Sequence, residues 1–542
     1  MSPAPTPEAQ RLARLLSDAG SAHGDIVRAA QDLMHSLGDP AEPAKVRSAL
    51  STVPIKSLFD LLGSSEPSTV EVTCDLIDKL LSPFDYTALV AQDMLGFLIE
   101  GYNHFSPFVR RLAIKQTDKF ATDDSGIDIL TSQNIYPLIV VTMSFQDTQT
   151  AEMAIDLIVK MYALPSGKRA FHDPNTVVML KQLISTSDTV KFRGYELIAK
   201  LAGESAQSFD AIERLGLFND LVNDCKSTDV LIRMNAFEVV AEVRSPQSPS
   251  NSSPNAFPQS IKGPKGFAFA QKSGILKEII NVLAAPNVQE DDLKDVTKVL
   301  LICSALKFIA TFGSLDSERI QLLDDKYKIY SICHQYLHVE QTSVQSAAIY
   351  SMTHLITNPN ILRLCLASQP NQHLDLTRAT HTLPRLWREG LSGEPRITWL
   401  RGMSQAFECT EDNRDLADIT FQLYEEMDGV PTTLQQLANL AKQPVDDQQV
   451  SVFAFLTAIA SWRWGALEML SSPAFMDYLF DRSTESSHSG KVWKYTLVQT
   501  ILNTVELIDT NAPLDVVDKL TKYVKDGPFY VSRRPNVDLE SG

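Results

Sequence analysis

Val70-Glu-Val-Thr-Cys-Asp-Leu-Ile77, Val109-Arg-Arg-Leu-Ala-Ile-Lys-Gln116, Thr150-Ala-Glu-Met-Ala-Ile-Asp-Leu-Ile158, Val190-Lys-Phe-Arg-Gly-Tyr-Glu-Leu-Ile198 and Ile232-Arg-Met-Asn-Ala-Phe-Glu-Val-Val240 are five versions of one segment. In each, a small residue (Thr73, Ala113, Ala154, Gly194, Ala236) precedes an apolar one, then a mostly charged one, then further apolar positions. The small residues fall 40, 41, 40 and 42 residues apart. A period near 40 that carries two helices per unit is the signature of an armadillo/HEAT solenoid. The small residue has a steric role, because stacked helices approach closely there and a larger side chain would push neighbouring repeats apart.

The flanking sequence agrees. Ala9 to Leu37, Val46 to Leu62 and Ile275 to Leu283 all place apolar residues at i, i+3, i+4 and i+7, and alternating strand-like runs are almost absent. Helical stretches end at Asp, Ser, Asn or Pro, which favour caps and turns. Further anchors are expected at Ala305, Ala348, Gly402, Ala454 and Lys494. The predicted fold is all-α, a curved α-solenoid of about ten HEAT/armadillo-like helical repeats.

The expected organisation is a disordered N-terminal tail over 1–7, a first half of the solenoid over 8–243, an insert over 244–265, a second half over 266–527, and a tail over 528–542. The insert holds six Ser and five Pro, so it can neither bury apolar surface nor continue a helix, and disorder is predicted. It contains Ser245-Pro246, Ser248-Pro249 and Ser253-Pro254, whose serines suit proline-directed phosphorylation.

Composition narrows the function classes. The 542 residues carry a net charge of −17, with 44% hydrophobic and 21% charged residues. That acidity argues against nucleic acid and anionic membrane as partners, since both need dense Lys/Arg surfaces. No apolar run reaches the roughly 18–20 residues that span a bilayer, and the first residues have neither the basic nor the apolar region of a signal peptide. Only 23 glycines occur, with no glycine-rich phosphate loop. The six cysteines (Cys74, Cys225, Cys303, Cys333, Cys365, Cys409) show no CxxC spacing, as expected of buried free thiols in a reducing compartment. Cys333, His334 and His338 lie in an otherwise ordinary helix with no nearby pair to complete a four-ligand site. No GxSxG, HExxH, Walker or kinase motif is present. No catalytic residue, cofactor or metal is therefore expected.

Two charged columns follow the anchors. Two residues beyond each stand Asp75, Lys115, Asp156, Glu196 and Glu238; four further on stand Lys79, Lys119, Lys160, Lys200 and Glu242. Asp75–Lys79, Asp156–Lys160 and Glu196–Lys200 have the favourable i,i+4 orientation within a helix. Stacking aligns these columns into a ladder, which reads either as a solvated face or as a grip for a charged partner domain. The candidate partner-binding set is Asp75, Lys79, Lys115, Asp156, Lys160, Arg193, Glu196, Lys200, Arg233 and Glu238.

The C-terminal quarter carries more than periodicity: Phe455-Leu-Thr-Ala-Ile-Ala460, Trp464, Ser472-Pro-Ala-Phe475, Tyr478, Asp481-Arg482-Ser483, Lys494-Tyr-Thr-Leu-Val498 and Gly527-Pro-Phe-Tyr-Val531. This order resembles the family of 26S proteasome non-ATPase regulatory subunit 5. Asp188 to Ile198, Asp229 to Arg233 with Glu238, and Gly266 to Ile275 are similar too. The resemblance implies a curved solenoid that binds the small C-terminal domain of an AAA-ATPase subunit. It implies a chaperone that holds this ATPase and associated base subunits during assembly and leaves before the mature proteasome forms. The expected partners are thus those subunits, with no nucleic acid and no membrane. The chain is expected to be a monomer in the cytoplasm, with the nucleus as a second compartment. The Ser/Pro insert and the stretch Ser368–Glu394 depart from the family pattern. Another solenoid adaptor, transport-receptor-like or a phosphatase scaffold, is the alternative, and a helical-repeat hydrolase a distant one.

Overall fold

Helices begin where the sequence supplies a cap or a first-turn proline. Asp147 accepts from the Thr150 amide, Ser187 from Val190, and Asp295 from Thr297 and Lys298. Pro67 and Pro107 open their helices, where a missing N–H costs nothing. The computed structural model describes residues 6–18, 21–241, 264–284, 293–314, 317–366, 374–443, 445–507 and 514–530. Every regular element among them is helical. Most of the 244–265 insert lies outside the described residues, including Ser245, Ser248 and Ser253, as does Glu242. No single described helix is long and apolar enough to cross a membrane.

The chain divides into two compact units, one running to Leu221 and the other starting at Val222. In the first, His23–Ser36, Pro67–Leu81, Pro107–Asp118, Thr148–Tyr162 and Asp188–Gly203 stack one on the next. In the second, Val230–Ala241, Val296–Ala310, Thr342–Ile356, Gly393–Ala406, Asp446–Ala460 and His488–Leu507 do the same, and Leu514–Asp526 packs on the last. Each unit is an α-solenoid, and the five and six helices just named form its column.

Each repeat in the first unit contains three helices where the period alone suggested two. Tyr86–Ala91 and Leu95–Asn103 separate the first pair of anchored column helices. Asp124–Ser132 with Ile135–Thr142, and Pro165–His172 with Pro174–Ile184, separate the next two pairs. The division is local chemistry: Asp173 caps the helix that Pro174 opens, cutting one apolar stretch into two short helices.

The anchors sit where helices meet closely, Ala113 and Gly194 against the short helix just before them and Gly402 against the preceding column helix. Ala113, Ala154, Ala236, Ala305 and Ala348 are fully buried, and Thr73 is nearly so. A Cβ placed on Gly194 would lie 2.1 Å from Ile184 Cγ2, and one on Gly402 would lie 2.1 Å from Thr353 Oγ1. Ala454 is only half-buried. In its helix the fully buried Val452, Phe453 and Phe455 fill the interface, and Ala454 turns partly to solvent. From residue 374 onward, the stretch Ser368–Glu394 contains the helix Leu374–Glu389 with Pro384 inside it. The long Ala348–Gly402 interval is thus filled by helices. Trp387 and Trp399 close that repeat, their rings 4.9 Å apart, and Trp399 Nε1 donates to the Leu383 carbonyl at 2.9 Å.

If the close approach sets the repeat, Gly402→Ala lowers stability by about 1–3 kcal/mol through overpacking against the fully buried Thr353. Thermal or urea unfolding reads this directly. A gain near 1 kcal/mol, the helix-propensity difference alone, would show that the contact is not tight.

Candidate partner-binding surface

The first unit's column carries the predicted charges from Asp75 to Lys200, with Arg233 and Glu238 in the second unit, and their pairing differs from the in-helix expectation. Only Glu196–Lys200 forms within one helix, at 2.7 Å. Lys160 reaches instead to Asp118 of the preceding column helix, with Nζ 2.7 Å from Oδ1 and 3.3 Å from the backbone carbonyl. Lys115 pairs with Asp78 at 2.8 Å, and Lys200 also approaches Asp156 at 3.5 Å. Lys119 Nζ donates to the Leu81 carbonyl at 2.6 Å. Asp75 and Lys79 form no ion pair among the described residues.

The cause is geometric. Neighbouring helices pack roughly 8–10 Å apart, within a lysine's reach, and the C-terminal turn of the preceding helix offers unsatisfied carbonyls carrying partial negative charge. Crossing to that helix therefore satisfies the ammonium better than the carboxylate one turn back. The ladder is real, with each rung joining two repeats. Of its acids, Asp156 lies in the column counted from the anchors, and Asp78 and Asp118 lie outside it. With side chains about half exposed, the Asp78–Lys115 and Asp118–Lys160 rungs are worth about 0–1 kcal/mol each.

The predicted arginines are also committed. Arg193 donates to the Met143 and Phe145 carbonyls, closing the end of Ile135–Thr142. Arg233 donates to the Glu278 carbonyl, lies 3.7 Å from its carboxylate and sits over the Phe237 ring. Glu238 is exposed. Of the ten candidates, only Asp75, Lys79 and Glu238 keep their charge without a hydrogen bond or ion pair among the described residues.

Three column helices of the first unit surround a cavity of about 210 Å³. Cys74 and Leu112 are buried in its wall, and Phe108 and Met153 are half-buried there. Its rim carries Glu71 and Asp75 from Pro67–Leu81, Arg111 and Lys115 from Pro107–Asp118, and Gln149 from Thr148–Tyr162. Arg111 donates to the Gln149 side-chain carbonyl and lies 4.9 Å from the Phe108 ring centroid. Burial, the largest influence, pushes the Cys74 thiol up to about 12, so it is an inert wall residue. Sequence reading found Asp75 and Lys115 here but missed Glu71, one turn before Asp75 and therefore on the same helix face.

All six cysteines are free thiols, four of them buried. Among the described residues no three His, Cys, Asp or Glu side chains are grouped to hold a metal.

The profile of the family described as Proteasome non-ATPase 26S subunit matches residues 8–542. The chain belongs to this family. Relatives called 26S proteasome non-ATPase regulatory subunit 5 include those of Bos taurus, 22% identical over 509 residues and 93% of each chain. That of Homo sapiens is 21% identical over 504 residues, covering 92% of this chain and 93% of the relative. That of Drosophila melanogaster is 22% identical over 514 residues, covering 93% and 89%. Among solved structures, yeast importin-beta (Kap95p) superposes with a TM-score of 0.58 at 12% identity, over 96% of this chain and 59% of that one. At that identity the likeness shows the α-solenoid fold alone. This family and this fold are of non-catalytic type.

Tyr478, Asp481 and Lys494, three of the C-terminal residues that carry the family resemblance, meet with Glu485 at a buried polar node in the second unit. Lys494 occupies an anchor position, is 1% exposed, and donates to the Asp481 carbonyl at 2.8 Å and to Thr484 Oγ1 at 2.6 Å. Its ammonium lies 3.5 Å from Glu485 Oε1 and 4.3 Å from the Tyr478 ring centroid. Glu485 accepts from Tyr478 Oη at 2.9 Å and from Gln449 Nε2 at 2.6 Å. Arg482 donates to the Tyr523 and Gly527 carbonyls and stacks 3.7 Å from the Tyr523 ring centroid, fixing Leu514–Asp526 by its C-terminal end. These family-bearing residues hold helices together.

Removing one partner of a buried ion pair leaves an uncompensated charge, so Glu485→Leu is expected to cost about 3–5 kcal/mol. The double variant Glu485→Leu with Lys494→Met recovers most of that loss in equilibrium unfolding. Burial pushes Lys494 down to about 8 from its ordinary 10.5, although Glu485 opposes the shift. Between those values the unfolded chain binds more protons, so this lysine makes stability rise with pH. Comparing the unfolding midpoint from pH 8 to 10.5 in wild type and Lys494→Met checks the sign, the rise being smaller in the variant.

Proposed function

We propose that this protein is an assembly chaperone for the regulatory-particle base of the 26S proteasome. In this reading it binds the C-terminal domain of one AAA-ATPase subunit, together with associated base subunits, and is released before the mature particle forms. It acts by binding alone, as a monomer, in the cytoplasm and also in the nucleus, without cofactor, nucleic acid or membrane.

The observation that carries this reading is the family match over residues 8–542, with relatives of nearly the same length named as proteasome regulatory subunits. The geometry is compatible with it. A column of helices with a mixed-charge face presents a continuous surface on which a small domain can bury the roughly 1,200–2,000 Å² of a specific complex. Most of the charges on that face are already engaged between repeats, so docking does not have to desolvate isolated ions.

Titrating the full chain against the separate C-terminal domain of each base ATPase tests this. One domain is expected to bind saturably at one-to-one stoichiometry, while the others do not. Failure of every domain to bind, with assembled nuclear-transport cargo recovered in its place, would sink the chaperone reading.

A further inference from the structure

Glu71 and Asp75 are two acids on one helix face that rim the same cavity. They stand four residues apart on Pro67–Leu81, so their Cβ atoms lie roughly 5–6 Å apart and two like charges share one helix face, a destabilising arrangement. Both are exposed, and neither makes a hydrogen bond or ion pair among the described residues. The bases facing them are occupied, Lys115 by Asp78 at 2.8 Å and Arg111 by the Gln149 carbonyl. Between the two walls lies the cavity of about 210 Å³, with Cys74 and Leu112 buried beside it.

We propose that this cavity between the column helices Pro67–Leu81, Pro107–Asp118 and Thr148–Tyr162 receives one Lys or Arg side chain of a partner protein. Its aliphatic stem lies against Cys74, Leu112 and Met153, and its charged head meets Glu71 and Asp75. The proposal rests on the partner-binding reading of this face and specifies the chemistry of the contact. A long basic side chain fits both halves of the site, because its methylenes bury on the apolar wall while its head stays at the polar rim. An acidic side chain would meet the two unpaired carboxylates, and a purely aliphatic one would leave their mutual repulsion in place. Lys115 is neutralised by Asp78, whereas Arg111 meets only the neutral Gln149 carbonyl and keeps its charge, so the incoming head sits on the Glu71 and Asp75 side of the rim. Unpaired acids beside a partly desolvated wall also provide the electrostatic complementarity that selects partners and speeds encounter.

The test uses the full chain with the photo-cross-linking residue benzoylphenylalanine in place of the half-buried wall residue Met153, irradiated in cell extract, with adduct sites mapped by mass spectrometry. Expected is an adduct within one helical turn of a partner Lys or Arg. Its yield falls at least tenfold when Glu71→Lys and Asp75→Lys are added, and changes less than twofold with Glu152→Lys, an exposed acid outside the cavity. Circular dichroism melting shows that each variant remains folded. An adduct on a base ATPase domain that behaves this way supports both the cavity and the chaperone reading. One on an unrelated protein, beside a Lys or Arg and lost on charge reversal, supports the cavity and removes the chaperone reading. No adduct, an adduct far from any base, or one indifferent to charge reversal overturns the cavity proposal.

Discussion

Close approach of one helix to another at a small residue is the constraint on which the rest of the structure depends. Ala113 lies against Gly101 of Leu95–Asn103, Gly194 against Ile184 of Pro174–Ile184 and Gly402 against Thr353 of Thr342–Ile356. Where Ala113, Ala154 or Gly194 stands, the neighbouring helix comes near enough for apolar faces to exclude water on both sides. A solenoid repeat cannot bury its own apolar face, so this contact is what makes each repeat stable. It also sets the spacing across which lysines reach. Lys160 arrives at Asp118 and Lys119 at the Leu81 carbonyl because the helix ends are brought within one side-chain length. The charged ladder is thus a consequence of the packing, and its strength adds little to it.

The period was legible because it is written in residue size, and size acts locally. Five anchors at intervals of 40 to 42 residues were enough for the fold class. The third helix of each repeat was hidden, since an apolar stretch cut by Asp173-Pro174 keeps its periodicity on both sides of the cut. Ala454 misled for the same reason that Ala113 informed: alanine is small wherever it stands, and only burial distinguishes an anchor from a solvent-facing position. The register of Gly402 survived a long interval because Thr353 leaves no room for a Cβ there.

The candidate surface was half legible. Counting from the anchors located the face and found Asp75 and Lys115. It could not tell which charges were already taken, because those partners lie 37 to 44 residues away, on the next helix of the stack. Nor could it give the C-terminal motifs a task. Tyr478, Arg482 and Lys494 resembled a family pattern without a visible reason, and the reason is that Tyr478 and Lys494 meet at Glu485 while Arg482 holds the end of the next helix through the Tyr523 and Gly527 carbonyls.

That node centres on His488–Leu507, the last column helix among the described residues of the second unit. Helical arrays are nearly one-dimensional, and their final members tend to fray independently of the middle. Here an opening of Leu514–Asp526 breaks the Arg482 contacts, and separation of His488–Leu507 exposes Lys494 and Glu485 together. Glu485 thus joins Gln449 of Asp446–Ala460 to Lys494 of His488–Leu507. Leu514–Asp526 is held separately through Arg482, so the two attachments release different polar groups when they open.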